Sequence, residues 1–503
     1  MAKIHFPFFS LCAPALVTCA LYAQEPNLPQ GLGLDSDQKN TSKAEPALPS
    51  GLGRNNRESR KTEAQAPELP SGLNSGSTTG DSNQTAKPEI PPEQGRLLHV
   101  LTSNELTGFA EARVGTRTQP DPYHDDMSVG ELRLQVDASR PIGTAYINLK
   151  ADLLYDYEYK EHDIDLEEGQ GWLDLREANI LFTPLHFMDI KAGRQVLTWG
   201  TGDLIFINDL FPKDWNSFFI GRDDEYLKAP SDAVKVSVFA EQLPSLDLIY
   251  TPRFDSDRYV DGSRLSFYNS LAGSKVGEDN VVDVDKLEDW FADHEIAARL
   301  YKNVAGYELA AYYYRGFWKS PAGINPATQE FTFPKLSVYG ASARGTIFNG
   351  IGHLETGYYR SRDDEGGANP FADNSEIRLL VGYEQELGTN LTGTFQYYVE
   401  HMMDHDEYLD SLSSATPARD EARHTVTMRL RKELFQDDLI LSIFTRYSLT
   451  DNDAYLRPKI NYTVNDNLEV ELGGNIFMGH DESTFLAQFE KNTSVHAAIR
   501  YNY

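Results

Sequence analysis

Apolar and polar residues alternate along most of the chain after about residue 105. The clearest examples are the segments 131–137, 145–153, 425–431 and 495–503, in which every second side chain is apolar and most of those between are polar. Successive side chains of a β-strand point to opposite faces, so a period of two predicts strands with one apolar and one polar face.

Eighteen segments of this kind follow one another. They begin near residues 105, 128, 143, 172, 187, 232, 245, 294, 305, 335, 350, 374, 390, 422, 437, 454, 467 and 494. Short and long connections alternate between them, and 450–453 is the one short connection where a long one is expected. An even strand number with this alternation is typical of membrane barrels. We therefore predict an all-β fold, a transmembrane antiparallel β-barrel of about 18 strands, or 16 if one hairpin is misassigned.

The polar faces of the predicted strands carry too many charges for a dry core. In a membrane barrel the apolar face contacts lipid and the polar face lines the lumen. The basic side chains that we expect to line the lumen are Arg133, Lys150, Arg378, Arg429, Arg431, Arg446, Arg457 and Arg500. Aromatic residues collect near the predicted strand ends, as expected for a membrane interface. They are Tyr155, Tyr157, Tyr312, Tyr313, Tyr314, Phe317, Trp318, Tyr358, Tyr359, Tyr397 and Tyr398.

The first 96 residues differ from the rest in composition. Residues 1–23 have a basic start, an apolar stretch and small residues at their end, which predicts a signal peptide. A lipoprotein signal with Cys19 as the lipid-bearing residue is the alternative. Residues 24–96 are rich in Pro, Gly, Ser and charge, so we predict a disordered tail, placed in the periplasm. Residues 97–503 then form the barrel.

The tail contains three copies of Leu-Pro-x-Gly-Leu. Repetition would give avidity for a periplasmic partner, whereas a spacer that arose by duplication is the alternative interpretation. The leucines predicted to bind such a partner are Leu28, Leu32, Leu48, Leu52, Leu69 and Leu73.

Charge and cysteine content narrow the class of protein further. The chain has 76 acidic and 46 basic residues, a formal charge of −30, which argues against nucleic acid as a partner. No apolar run long enough for a membrane helix follows the first 25 residues, which excludes a multi-pass helical protein. Both cysteines, Cys12 and Cys19, lie in the predicted signal peptide, so we expect neither disulfides nor thiolate metal sites in the mature chain.

The connection 195–231 is unusually apolar for an exposed loop. Folding against the inner wall would cover its apolar side chains and narrow the pore, and packing over the barrel mouth is the alternative. The residues predicted at the constriction are Arg194, Trp199, Asp203, Asp209, Asp214, Arg222 and Asp223. In another loop, the spacing of Leu287, Trp290 and Phe291 predicts a short amphipathic helix over 284–298.

Two segments resemble known outer-membrane proteins. The last strand, 495–503, resembles the C-terminal strand of Gram-negative outer-membrane barrels, which implies that Tyr501 and Tyr503 are read by the barrel-assembly machinery. The segments 193–200 (Gly-Arg-Gln to Trp-Gly) and 203–214 are similar to a region of large porin-like barrels, including relatives of alginate-export-type and phosphate-selective porins. This resemblance implies an outer-membrane barrel, surrounded by outer-membrane lipids, with an inward loop.

We interpret the chain as an outer-membrane channel of a Gram-negative bacterium, for passive passage or export of a polar or charged solute. The alternative is a plugged barrel that serves a lipid or polymer export complex, recruited through the repeats. Acidic loops would enrich cations at the mouth, whereas inward Arg and Lys would favour anions deeper inside. His401 and His405 with their acidic neighbours are the candidates for an outer-membrane enzyme, the second alternative. We predict no enzymatic activity, no cofactor and no metal.

Overall fold

The computed structural model describes residues 106–159, 163–240, 242–413 and 417–503. The predicted signal peptide, the tail and its six repeat leucines lie outside the described residues.

Eighteen antiparallel strands form one closed sheet. Each strand pairs with the next, and β18 pairs with β1 from Phe109↔Asn502 to Arg117↔Ser494, which closes the barrel. The predicted fold class and the strand number of 18 are confirmed. The strands are β1 Leu106–Arg117, β2 Met127–Ile142, β3 Ala145–Asp156, β4 Leu173–Leu185, β5 Met188–Val196, β6 Pro230–Val238, β7 Ser245–Thr251, β8 Glu295–Val304, β9 Tyr307–Phe317, β10 Lys335–Ile347, β11 Gly350–Ser361, β12 Glu376–Gly388, β13 Leu391–Met402, β14 Ala422–Leu434, β15 Leu439–Ser448, β16 Ala454–Asn465, β17 Leu468–Met478 and β18 Ser494–Asn502.

Short turns join the strands at one end of the barrel and longer loops join them at the other, with the predicted exception between β15 and β16. We call these the short-turn end and the loop end. Local chemistry explains the tight turns. Between β8 and β9, Ala305 (φ 53°) and Gly306 (φ 86°) both have positive φ, as a two-residue hairpin turn requires.

The outer surface of the barrel is apolar and exposed. Leu132, Leu354, Ile460 and Leu472 are 42–58% exposed. Each alternates along its strand with polar residues that face inward. Exposed apolar surface that runs around a whole barrel needs a lipid environment, so the molecule has the surface of a membrane-spanning barrel. Among the described residues, no helix is both long and apolar enough to cross a membrane.

The predicted strand-end aromatics divide between the two faces of the wall. Tyr155, Tyr157 and Tyr358 are exposed on the outside, as expected at an interface. The prediction is wrong for most of the others, which are buried. Alternation turns the rings of Tyr312, Tyr314, Tyr359 and Tyr398 into the barrel. Phe317 is buried against the loop residues Phe254 and Phe333, and Trp318, which follows β9, packs against Tyr359.

The described parts of the loops contain only short regular elements. The α-helices are α1 Trp215–Ile220 and α2 His405–Ser411, and the 3₁₀ helices are Asp224–Leu227, Glu278–Asn280 and Ala487–Asn492. Two small hairpins pair Phe267–Asn269 with Ser274–Val276 and Gly323–Ile324 with Phe331–Thr332. The amphipathic helix predicted over 284–298 is wrong, since that segment is irregular up to Glu295, where β8 begins.

Candidate functional site: the loop between β5 and β6

Residues 197–229, between β5 and β6, contact the inward side chains of strands on both sides of the barrel; we call them the inner loop. Glu355 on β11 anchors the first part. Its carboxylate, which is fully buried, accepts hydrogen bonds from the backbone N–H groups of Thr201 and Asn208, both at 2.7 Å. The hydroxyl of Thr201 and the amide of Asn208 also donate to it, both at 3.0 Å. One inward acid therefore fixes two points of the inner loop.

An apolar cluster, the Trp199 cluster, covers the first part of the inner loop. The ring of Trp199 packs edge-on against Phe211 at 5.0 Å, and Ile207 is completely buried beneath Tyr359 of β11. The members contributed by the inner loop are Leu197, Trp199, Ile205, Ile207 and Phe211. The members contributed by the wall are Ala233, Ile249, Ala297, Ala310, Tyr312, Tyr314, Leu336, Val338, Tyr359, Leu380 and Tyr398, with Trp318 from a neighbouring loop.

The helix α1 carries a second apolar cluster to the opposite wall. The Asp214 side chain accepts the N–H of Ser217 at 2.7 Å and begins the helix, and Gly221 ends it with φ 92°. The helix presents Phe218 and Phe219 to rings on β15, β16, β17 and a further loop. These rings are Phe444, Tyr455, Phe477 and Phe489.

After α1, the inner loop meets a row of cations on β14, β16 and β18, which we call the basic wall: Arg429, Arg457, Lys459 and Arg500. Lys459 contacts Asp223 at 2.6 Å, and Arg500, near the short-turn end of β18, also pairs with Asp223. Asp224 pairs with Arg457 and lies 3.4 Å from Arg429.

These contacts hold the loop carboxylates in the ionised form. Desolvation by itself would raise the pKa of Asp224, although nearly half of its side chain stays exposed, but Arg457 and Arg429 outweigh it and lower the pKa to about 2. Burial likewise opposes ionisation of Asp223, and Lys459 and Arg500 bring its pKa well below the ordinary value. The inner loop and the basic wall are thus joined by charge throughout the neutral pH range.

The residues predicted at the constriction have different surroundings. Asp203 accepts two hydrogen bonds from Arg429, at 2.6 and 2.9 Å, and Asp223 also meets the basic wall. Arg222 donates to Glu131 at 2.8 Å and lies 3.4 Å from Asp156, so it joins the loop to β2 and β3.

The other four predicted constriction residues serve local structure. Asp209 pairs with Lys213 at 3.0 Å within the inner loop, and Asp214 caps α1 and contacts Arg258 at 3.2 Å. Trp199 lies in the apolar cluster. Arg194 donates to the carbonyl of Leu175 and the carboxylate of Asp232 in the wall and to the carbonyl of Leu166 in a neighbouring loop, rather than to the inner loop.

The side chains predicted to line the lumen make varied contacts. Arg133 bonds Glu131 and Asp152 and lies over the ring of Tyr226, and Lys150 lies 3.4 Å from Glu225. The remaining six form either ion pairs or cation–π contacts. Arg429, Arg457 and Arg500 meet the inner loop, Arg378 pairs with Glu376 beside Tyr359, Arg431 pairs with Glu433, and Arg446 lies over Phe485.

Some residues at this site could not be recognised from the sequence. Glu355 is one inward acid among many on the polar faces, and nothing in its own strand marks it as the anchor. Tyr226, whose hydroxyl donates to Asp152 at 2.8 Å and whose ring lies beneath Arg133 and Arg176, sits in a stretch without strand periodicity. Tyr226 meets Arg133 and Arg176 only in the folded barrel, so its surroundings in the sequence do not predict the contact.

The wall changes character at the short-turn end, in the parts that the inner loop does not reach. There the inward charged side chains pair with one another and keep contact with solvent. Lys191 and Glu177 are 26% and 27% exposed, and Arg431 and Glu433 are 41% and 33% exposed. We call this region the short-turn half and the region packed by the inner loop the loop half.

Two further groups of predicted residues can be placed. Tyr501 and Tyr503 are 52% and 43% exposed, and the backbone of Tyr503 exchanges two hydrogen bonds with Gly108 of β1.

His405, one of the two histidines considered for catalysis, bonds the carbonyl of Arg419 at 2.8 Å. In the part of the chain that the structure describes, no group of three or more His, Cys, Asp or Glu residues is arranged to hold a metal.

Comparisons with known proteins give a likeness of fold. No protein-family model and no curated protein matches the sequence. Similar solved structures include OccK11 (OpdR) of Pseudomonas aeruginosa (TM-score 0.45, 10% identity, 79% of this chain and 95% of that chain) and OccAB4 of Acinetobacter baumannii (0.46, 10%, 79% and 97%). Another is Wzi of Escherichia coli, described as a carbohydrate-binding barrel involved in capsule assembly (0.45, 8%, 81% and 86%). Similarity at this level supports no conclusion about function, and the resemblance to alginate-export-type and phosphate-selective porins stays a prediction.

Proposed function

We propose that the protein is an outer-membrane channel for a polar or charged solute, with the inner loop as its constriction. Solute passes along the charged short-turn half and crosses the loop half when the inner loop leaves the basic wall. The observation that supports this proposal is the solvent exposure of the inward charged side chains in the short-turn half. Its inward Lys, Arg and Glu side chains keep 26–41% exposure, which suits a hydrated path and would be costly in a solid core.

We also propose that the barrel lies in an outer membrane. The apolar outer surface supports insertion in the outer membrane of a Gram-negative bacterium, since spanning barrels of this form belong there. Assembly through Tyr501 and Tyr503 by the barrel-assembly machinery and recruitment of a periplasmic partner by the tail are parts of the same proposal. They rest on the sequence.

Conductance of the purified, refolded full chain in a planar bilayer under a KCl gradient tests the channel. We expect discrete current steps, and the sign of the reversal potential reports whether the acidic loops or the basic wall dominates selectivity. Deletion of 203–220 should enlarge the steps, with folding checked by heat-modifiable gel mobility. Steps of unchanged size after the deletion would refute the constriction while leaving the channel intact.

A second candidate is a plugged barrel that serves an export complex. The observation that favours it is the strength of the closure, because two apolar clusters and the ion pairs of Asp203, Asp223 and Asp224 all hold the inner loop. A folded protein that gives a silent bilayer, and that captures a periplasmic partner only when residues 24–96 are present, would favour this candidate over the channel.

A further inference from the structure

The seam between β6 and β7 is unusually short. Five residue pairs join the two strands, from Val234↔Tyr250 to Val238↔Leu246. The preceding seam, between β5 and β6, has nine, from Met188↔Val238 to Val196↔Pro230. Residues 230–233 of β6 therefore have a strand partner on one side only, and this gap lies at the loop end of the barrel.

The sequence explains why the seam stops. Pro252 follows β7 directly and has no N–H to donate to β6. The chain then turns away, and Phe254 is buried against Phe317 and Phe333. In place of a strand, the carboxylate of Asp255 accepts the N–H of Asp232 at 3.0 Å and the hydroxyl of Ser231 at 2.7 Å. A single side chain holds an edge that backbone hydrogen bonds hold in other seams.

Apolar surface lies on both sides of this seam. Inside, Ala233 and Ile249 are 3% and 2% exposed and belong to the Trp199 cluster. Outside, Val234 and Leu248 are 40% and 43% exposed on the lipid-facing surface. Only the thickness of the sheet separates the two apolar surfaces. The opposite wall, by contrast, is lined by the cations of the basic wall.

We propose that the β6–β7 seam is a lateral opening through which a molecule with a long apolar chain moves between the membrane and the Trp199 cluster. Release of the Asp255 carboxylate from β6 opens the edge, and the chain of the molecule then lies against Leu197, Trp199 and Phe211. This activity is independent of solute conduction along the barrel axis. It adds an amphiphile to the substrates the protein handles.

A disulfide staple tests the opening. Residues 20–503 contain no cysteine, so the double variant V234C/Y250C introduces one cysteine pair without competing thiols. This pair lies at the loop end of the short seam. V426C/Y447C is the matched control, with the same residue types directly opposed in the ten-pair seam between β14 and β15. The full chain in liposomes is irradiated with a diazirine-bearing palmitate, and labelled peptides containing Trp199 or Phe211 are quantified by mass spectrometry.

Oxidation of V234C/Y250C should reduce labelling of these peptides about tenfold, reduction should restore it, and the control staple should leave it unchanged. A second variant, D255A, should raise labelling several-fold while D255N, which retains an acceptor, stays near the unsubstituted protein. Equal loss of labelling with both staples, labelling that survives the V234C/Y250C staple, or absence of labelling in the unstapled protein would each overturn the proposal. Planar-bilayer conductance of the same samples separates this result from the fate of the proposed channel.

Discussion

The loop half and the short-turn half of the lumen are made from the same alternating strands, yet they solve the problem of inward charge differently. In the loop half, Asp223 and Asp224 of the inner loop neutralise the basic wall, and two apolar clusters pack the rest of the inner loop against the barrel. In the short-turn half, the wall charges pair with their own neighbours, such as Lys191 with Glu177 at 3.1 Å, and stay partly hydrated. The difference shows that the contents of a barrel, rather than its wall, decide where it is closed.

A disulfide between the inner loop and β11 should have the largest effect on conductance and is therefore the strongest test of the difference between the two halves. A Cβ at Gly357 would lie 2.7 Å from Cγ2 of Ile207, so the Cβ atoms of I207C/G357C fall within disulfide reach. If the loop half must open for conduction, oxidation should reduce the conductance about tenfold or more and reduction should restore it. Oxidised V426C/Y447C, which staples only the wall, serves as the control. Full conductance in oxidised I207C/G357C would show that the inner loop does not need to move.

Removing the anchor carboxylate should have the next largest effect. In E355A the part-buried N–H of Thr201 and the buried N–H of Asn208 lose their acceptor, and the buried group alone costs about 1–3 kcal/mol when unsatisfied. We expect the open probability in single-channel recordings to rise about tenfold or more. E308A removes a carboxylate of the short-turn half that pairs with Arg299 and is 50% exposed, and it should change the open probability little. Equal effects of the two variants would contradict the distinction between the halves.

Charge selectivity should respond more in the loop half. D223N/D224N leaves Lys459, Arg500 and Arg457 without their loop partners, so the reversal potential under a KCl gradient should shift towards anion preference. E433Q, beside Arg431 in the short-turn half, should shift it in the same direction by a smaller amount. A larger shift in E433Q would place the selective region at the short-turn end instead.

The smallest expected effect is a pH dependence at the loop end. Burial raises the pKa of Asp373, in the loop before β12, to about 6 in spite of the nearby Arg419. Because the folded pKa lies above the usual carboxyl value of about 4, the stabilising contribution of Asp373 is fully present below pH 4 and is lost as the pH rises through about 6. Proteolysis of the 362–375 loop should therefore quicken between pH 4.5 and 7, and D373N should remove that change. A D373N profile that matches the unsubstituted protein would exclude Asp373 as the cause.

The sequence predicts the wall of this molecule well, because strand alternation is a local property and repeats through the barrel. All 18 strands begin within two residues of their predicted positions. The inner loop is predicted less completely. Its apolar residues suggest burial, and Asp203 and Asp223 do meet cations of the wall, but the closed barrel determines which cations.

The sequence does not reveal contacts that depend on distant parts of the chain. Asp214 resembles the neighbouring acids in sequence, yet it caps α1, and Arg194 is occupied by Asp232 and backbone carbonyls. Trp290 and Phe291 have helical spacing but lie in irregular chain. The inward turn of Tyr312 and Tyr359 follows from strand parity, which a cluster of aromatic residues at a strand end does not reveal by itself.

The pairing of β18 with β1 also has a kinetic consequence. Phe109 and Asn502 are separated by nearly the whole barrel sequence. Because contacts between distant parts of a chain form slowly, we expect this pairing to come late in folding. Until then, two rows of unpaired backbone groups are open to other chains, including those of unfinished copies. A cell that makes this barrel must therefore shield its first strand for as long as the last is missing, and the rate at which the two ends meet sets how long that protection is needed.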